Sequence, residues 1–273
     1  MEPTLGETLE DNSQREDRCL VEPLTWGTTF FLVGAGFLAS FVDSVVGGGG
    51  LISLPSLLFL GLPPQLALGT NKLAGVISSF TSSVAFFRSG HVETEIIRWF
   101  FPLSLGGSVL GVLAVRRLPS DFLRPLVVVM LVLVALYTVF RKEWGQHATY
   151  GGPTPRVWTL GGAAALGLGF YDGFFGPGAG SFLLFVFLML GFDFVRGAGN
   201  ARVLNFASNI AAIVTFALLG SVQYTAGLVM GIGMVAGALA GTRLALTKGA
   251  AYVRPLFLSV TTVLIGKQIW DIL

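Results

Sequence analysis

Apolar stretches of roughly 17 or more residues recur along this chain from Trp26 to Trp270, each long enough to cross a hydrocarbon core about 30 Å thick. That recurrence sets the solvent, and the chain reads as an all-α polytopic membrane protein. A transmembrane β-barrel would instead alternate apolar and polar residues in segments of about ten. Charged residues are 12% of the 273, about half the share of a soluble domain, and the mean hydropathy is +0.76. Net charge is +2, unevenly spread. Glu2, Glu7, Glu10, Asp11, Glu16, Asp17 and Glu22 outweigh Arg15 and Arg18 in residues 1–25, leaving eight acids and fifteen bases, net +7, for the remainder. The acidic head lacks the basic start of a signal peptide and reads as a retained, disordered tail.

One apolar stretch is interrupted by Gly47-Gly48-Gly49-Gly50, preceded by Asp43 and followed by Gly69-Thr70-Asn71-Lys72. Glycine has the lowest helix propensity after proline, so four in a row predict an opened helix with bare backbone. Within a bilayer such backbone persists only where protein covers it or a polar cavity receives it.

The segments run Trp26–Val46, Leu51–Leu60, a Gly61-Leu62-Pro63-Pro64 turn, then about Ala67–Phe87, Ile96–Val115 and Phe122–Phe140. A polar linker follows, and segments resume at Val157–Phe175, Ser181–Leu190, Asn200–Leu219, Thr225–Ala245 and Tyr252–Trp270. The second series repeats the first. Asp43 and Gly47 match Asp172 and Gly176 at an offset of 129; beyond a one-residue insertion the offset is 130. Lys72 then meets Arg202, Gly61 meets Gly191, Gly107 meets Gly237, and Arg124-Pro125 meets Arg254-Pro255. The expected organisation is a tail (1–25), a first transmembrane repeat (26–141), a linker (142–156) and a second repeat of about 130 residues in register (157–273). If the first two segments of a repeat form one broken crossing, each half crosses four times and the repeats are parallel; if they form a hairpin, or cross separately, the number is odd and the repeats are inverted. Basic residues favour that arrangement, gathering Arg88, Arg98, Arg141, Lys142, Arg156, Arg243, Lys248 and Arg254 on one side, which places the linker in the cytoplasm and both termini outside.

Charge in a membrane segment calls for compensation, so Asp43, Asp172, Lys72 and Arg202 are the residues to explain. One account is a structural ion pair within each half. The other is that Lys72 and Arg202 attract an anion while Asp43 or Asp172 handles a coupling ion. The segments after Gly47–Gly50 and after Gly176-Pro177-Gly178-Ala179-Gly180 would present unpartnered N–H groups and a positive dipole end, which suits an anion; close helix packing is the plainer use of such glycines. Thr70 reads as an N-cap. Arg202, Asn205 and Asn209 share one helical face, as do Lys72, Gly75, Ser79 and nearby Ser82, and interhelical hydrogen bonding alone would explain such stripes. The arginines and lysine at segment ends read as interfacial.

Other chemistry finds little footing. Cys19 is the only cysteine, so no disulfide or thiolate metal site can form within one chain, and His91 and His147 lie in loops without zinc-site spacing. No cofactor, metal or nucleic-acid partner is expected.

The motifs Phe41-Val42-Asp43 into Gly47–Gly50, Gly61-Leu62-Pro63-Pro64, Gly69-Thr70-Asn71-Lys72, Arg88-Ser89-Gly90-His91-Val92 and Asp172-Gly173-Phe174-Phe175 into Gly176–Gly180 resemble the TauE/SafE, sulfite-exporter-like family of membrane transporters. The resemblance covers nearly everything after residue 25. It implies a multi-pass permease of the cytoplasmic membrane that moves sulfite or organosulfur anions. Where that family usually has lysine in the second half, this chain has Arg202, which keeps the charge but does not readily release a proton. The expectation is a secondary transporter of a small anion, with Gly47, Gly48, Gly49, Gly50, Asn71, Lys72, Gly176, Gly178, Gly180, Arg202, Asn205 and Asn209 around a midplane cavity and Asp43 and Asp172 as coupling-ion or ion-pair residues. The alternatives are a passive anion channel and a non-transporting scaffold subunit, with a membrane enzyme the least supported. The expected partners are the lipid bilayer and the anion, and the sequence leaves room for a homo-oligomer.

Overall fold

The computed structural model describes residues 25–119, 121–123, 125–126, 129–130, 132–133 and 149–248. The acidic tail with Cys19, most of the predicted Phe122–Phe140 helix, most of the linker, His147 and the Tyr252–Trp270 segment lie outside the described residues. Eight helices are bounded within them: α1 (Trp26–Val46), α2 (Gly50–Phe59), α3 (Pro64–Arg88), α4 (Thr94–Arg116), α5 (Pro155–Phe174), α6 (Ala179–Met189), α7 (Phe194–Leu218) and α8 (Tyr224–Lys248). By length and composition α1, α4, α7 and α8 can each cross a membrane. Helix α3 is as long as α7, but carries Asn71, Lys72, Ser78, Ser79, Ser82 and Ser83, all buried against neighbouring helices.

Local chemistry sets the ends. Thr25 caps α1 by accepting from the Thr28 N–H at 3.3 Å, Thr154 caps α5 through Val157, and Asp193 caps α7 through Arg196 at 2.9 Å. Pro64 and Pro155 open α3 and α5, where a missing N–H removes no helical bond. Two boundaries differ from the sequence reading. Helices α3 and α7 begin at Pro64 and Phe194, earlier than the expected Ala67 and Asn200, because a Pro and an Asp cap start them there. Thr70 is therefore not an N-cap. It lies inside α3, and its Oγ1 accepts from the Gln223 N–H at 2.9 Å; Asn200, inside α7, likewise accepts from the Glu93 N–H at 2.8 Å.

Close packing gives each helix its direction. Gly233, Gly237 and Gly241 of α8 lie against Val33, Phe37 and Phe41 of α1, so the two run parallel; a Cβ at Gly237 would stand 2.2 Å from the Phe37 carbonyl oxygen. Backbones approach this closely only through residues without side chains. Gly227 and Gly231 meet Leu73 and Ile77, so α3 runs with α8. On the other side, Gly107 and Gly111 of α4 meet Leu166 and Phe170 of α5, and Ser104 and Ser108 donate to the carbonyls of Leu204 and Ser208 of α7 at 2.9 and 2.6 Å. Helices α4, α5 and α7 thus share one direction, and α1, α3 and α8 the other. The sets meet antiparallel where Lys72 contacts Asn209 and Phe80 packs on Phe206. One end of the molecule consequently gathers Arg88, Arg98, Arg156, Arg196 and Arg243, while Arg116 and Arg117 stand at the opposite end. All seven are exposed. Large apolar side chains such as Phe30, Phe80, Leu110, Leu218 and Ile232 face outward, as a lipid-facing surface requires.

Candidate functional site

Both glycine clusters interrupt the helices. The link after α1 has Gly47 and Gly48 at φ of 80° and 90°, and the link after α5 has Gly176 and Gly178 at 99° and 84°, values that side-chain-bearing residues rarely adopt. Helix resumes at Gly50 and Ala179, so Gly50 and Gly180 belong to the first turns of α2 and α6 and not to the unwound links. Gly49 folds back against Ala39 and Asp43, which makes α1 and α2 a hairpin and not one broken crossing. The two links touch. Gly47 packs on Gly180 and Ser181, Gly50 packs on Pro177, and the Ser181 hydroxyl donates to the Val46 carbonyl at 3.0 Å.

The second glycine cluster lies against both cations. Lys72 sits eight residues into α3 and Arg202 eight residues into α7. At 1.5 Å per residue, each is about 12 Å from its helix start, and the two starts are at opposite ends of the molecule. A Cβ on Gly176 would stand 2.8 Å from Lys72 Nζ, and one on Gly180 2.1 Å from Arg202 Nη2. Absence of a side chain at these positions is what admits the buried cations.

The acids answer the bases crosswise. Lys72 Nζ donates to Asp172 Oδ1 at 2.6 Å, with both side chains 2% exposed, and Arg202 donates to Asp43. One of the two sequence accounts was an ion pair within each half; the antiparallel meeting of α3 and α7 instead joins each cation to the acid of the other half. Further donors complete both carboxylates, as buried charge requires. Asp172 Oδ2 accepts from Asn205 Nδ2 at 3.0 Å and from the Ser208 hydroxyl, while Asp43 Oδ1 accepts from the Gly49 N–H at 3.0 Å. That last bond uses one of the N–H groups at the start of α2, so the helix terminus is already partly answered by protein. Lys72 also donates to Asn209 Oδ1 at 3.3 Å, and Ser53 to Asn71 Oδ1 at 2.6 Å.

Between the pairs lies a cavity of about 40 Å³ lined by residues including Ser40, Asp43, Gly49, Gly50, Ser53, Asn71, Lys72, Ser78, Asp172, Gly176, Gly178, Gly180, Asn205 and Asn209. A buried water needs roughly 10–15 Å³ on this measure, so the cavity holds a few waters; an organic anion would require the helix sets to part. Of the residues singled out in sequence, Gly47, Gly48 and Arg202 do not line it: the first two hold the link, and Arg202 faces Asp43. Ser53 and Ser208 were missed. Ser208 lies three residues past Asn205 on the polar face of α7, the spacing that could have flagged it. Ser79 and Ser82 bond carbonyls of their own helix, at Gly75 and Ser78.

The sequence profile of the sulfite exporter TauE/SafE family matches residues 32–267. The chain is 38% identical over 252 residues to a probable membrane transporter protein, ORF9, of a Sinorhizobium species, covering 92% of this chain and 96% of that one. It is 36% identical over 257 residues to the probable membrane transporter YfcA of Escherichia coli K12, covering 92% of each. A probable membrane transporter of Haemophilus influenzae is 35% identical over 238 residues, 86% of this chain and 92% of that one. No solved structure matches the chain.

Proposed function

The chain belongs to the TauE/SafE family of membrane transporters, and on that footing we propose that it is a secondary transporter of the cell membrane, moving a small anion, sulfite or an organosulfonate, by alternating access. The anion class rests on the family's name. The mechanism rests on the site: two helix breaks from positions 129 residues apart in sequence register, carried by helix sets of opposite direction, enclose a polar cavity beside a lysine that is 2% exposed. A lysine that deep in apolar helices is costly to insert, and positions of this kind mark substrate or ion pathways. Equivalent helices of the two halves, α1 and α5, α3 and α7, α4 and α8, run in opposite directions and are read as inverted repeats, whose rocking about the cavity would expose it to each side in turn. The end bearing Arg88, Arg98, Arg156, Arg196 and Arg243 faces the cytoplasm on the charge rule for membrane loops.

Lys72→Ala tests the reading. In proteoliposomes, the wild type is expected to exchange labelled sulfite or methanesulfonate for unlabelled anion preloaded on the far side, and the variant to lose at least tenfold of that flux while remaining inserted. Acceleration by preloaded anion separates a transporter from a passive channel, which shows none. Unchanged flux in Lys72→Ala would remove this lysine from the pathway.

A further inference from the structure

The two ion pairs occupy equivalent places but differ in chemistry and surroundings, and from that difference we infer that Lys72–Asp172 is the exchangeable pair, with Asp172 carrying one proton for each anion bound at Lys72, while Arg202–Asp43 is a permanent clamp. The inference rests on the transport reading above and names its coupling residue.

Charge accounting comes first. The two bases and two carboxylates around the cavity sum to zero, so an anion entering alone would leave one uncompensated negative charge in a buried site, which is strongly disfavoured. A proton arriving with the anion removes the excess. The receiving group must be a carboxylate whose cation borders the cavity. Lys72 lines the cavity, and Arg202 does not. Lys72 has three N–H donors, of which Asp172 and Asn209 take two among the described residues, so an anion can approach the third before any bond is broken. Arg202 donates through Nη1 to Asp43, packs Nη2 against Gly180, and does not give up a proton.

The groups facing Asp172 allow the step. Helix α3 presents Lys72, α7 presents Asn205 and Ser208, and α4 presents Ser108, which is occupied by the Ser208 carbonyl. Helix α6 carries no ionisable residue, and neighbouring Tyr171 donates to the Pro177 carbonyl at 2.7 Å. Asp43, the other carboxylate on the cavity, is held by Arg202 and the Gly49 N–H. When a proton from water adds to Asp172 Oδ1, the oxygen released by Lys72, Asn205 and Ser208 continue to donate to Oδ2. The ammonium then binds the anion. One proton and one monoanion move together, so transport is electroneutral and a pH gradient draws the anion toward the alkaline side.

Methanesulfonate is a suitable probe, because it holds one negative charge and does not titrate near neutral pH, so any pH dependence belongs to the protein. In proteoliposomes, an acidic-outside gradient is expected to raise wild-type uptake at least fivefold over equal pH. Asp172→Asn, which imitates the protonated acid, is expected to exchange labelled for unlabelled methanesulfonate at a changed rate that no longer depends on pH and to lose the response to the gradient. Asp172→Glu keeps the response. The assignment is overturned if Asp172→Asn responds to the gradient like the wild type, if it exchanges nothing, if Asp43→Asn is the variant that uncouples, or if a sodium gradient drives wild-type uptake in place of the proton gradient. Absence of wild-type exchange under every condition overturns the transport reading itself, and this assignment with it.

Discussion

Arg202 is the largest fully buried side chain among the described residues, and its burial is tolerable because Asp43 answers its charge. Removing one partner of such a pair leaves a buried charge uncompensated, at roughly 3–5 kcal/mol. Asp43 is 16% exposed, so Arg202→Ala should fall toward the lower end of that range. The double variant Arg202→Ala/Asp43→Ala should be more stable than Arg202→Ala alone, because no lone charge remains. Thermal unfolding of the four proteins in detergent checks this, and a double variant less stable than both singles would contradict it. These four charged residues were legible in sequence because charge is rare in apolar segments. Which acid meets which base was not, since that depends on helix direction, a property no residue carries. Ser53 and Ser208 were illegible for another reason: a serine in a membrane helix usually bonds a carbonyl of its own helix, as Ser56 and Ser82 do here, so it carries little signal.

At the scale of elements, the links after α1 and α5 are built into each other. Gly47 combines a φ of 80° with a place where a Cβ would stand 2.2 Å from the Ser181 backbone nitrogen. Gly47→Ala therefore strains the first link and pushes the start of α6 away. Arg202 and Gly180 would shift with it. The expected outcome is a membrane-inserted protein with reduced thermal stability and anion exchange down by tenfold or more, measured in the same proteoliposome assay. Gly34→Ala, where a Cβ meets nothing within 4 Å, should behave as wild type and serves as the control. The existence of both breaks could be read from composition, because glycine is a poor helix former. Helix starts could not: Gly61, Gly191, Gly197 and Gly199 look like loop residues, yet Gly197 and Gly199 lie inside α7. There the Asp193 cap and the burial of Gly197 and Gly199 against α6 and His91 outweigh local propensity.

For the whole molecule, everything functional depends on the helix sets opposing each other, since only then does a cation at equal depth in α3 and in α7 reach the acid of the other half beside one cavity. The common register across both halves is read in sequence as two copies. Their relative direction followed in sequence from loop charge alone, a weak lever; in the structure it follows from which glycine meets which carbonyl. Parallel packing of α4 against α5 fixes their ends: α4 finishes at the end where Arg116 stands, and α5 starts at the opposite end, where Arg156 stands. This arrangement can be tested in cells with Cys19→Ser as the background. Single cysteines at Arg88 and Arg156 should both react with a membrane-impermeant maleimide only after the cytoplasmic face is opened, and a cysteine at Arg116 should react in intact cells. Labelling of Arg88→Cys and Arg156→Cys from opposite faces would mean an even number of crossings per half. In that case the two breaks could not enter the cavity from opposite directions, and alternating access by rocking of one half against the other would have no structural basis.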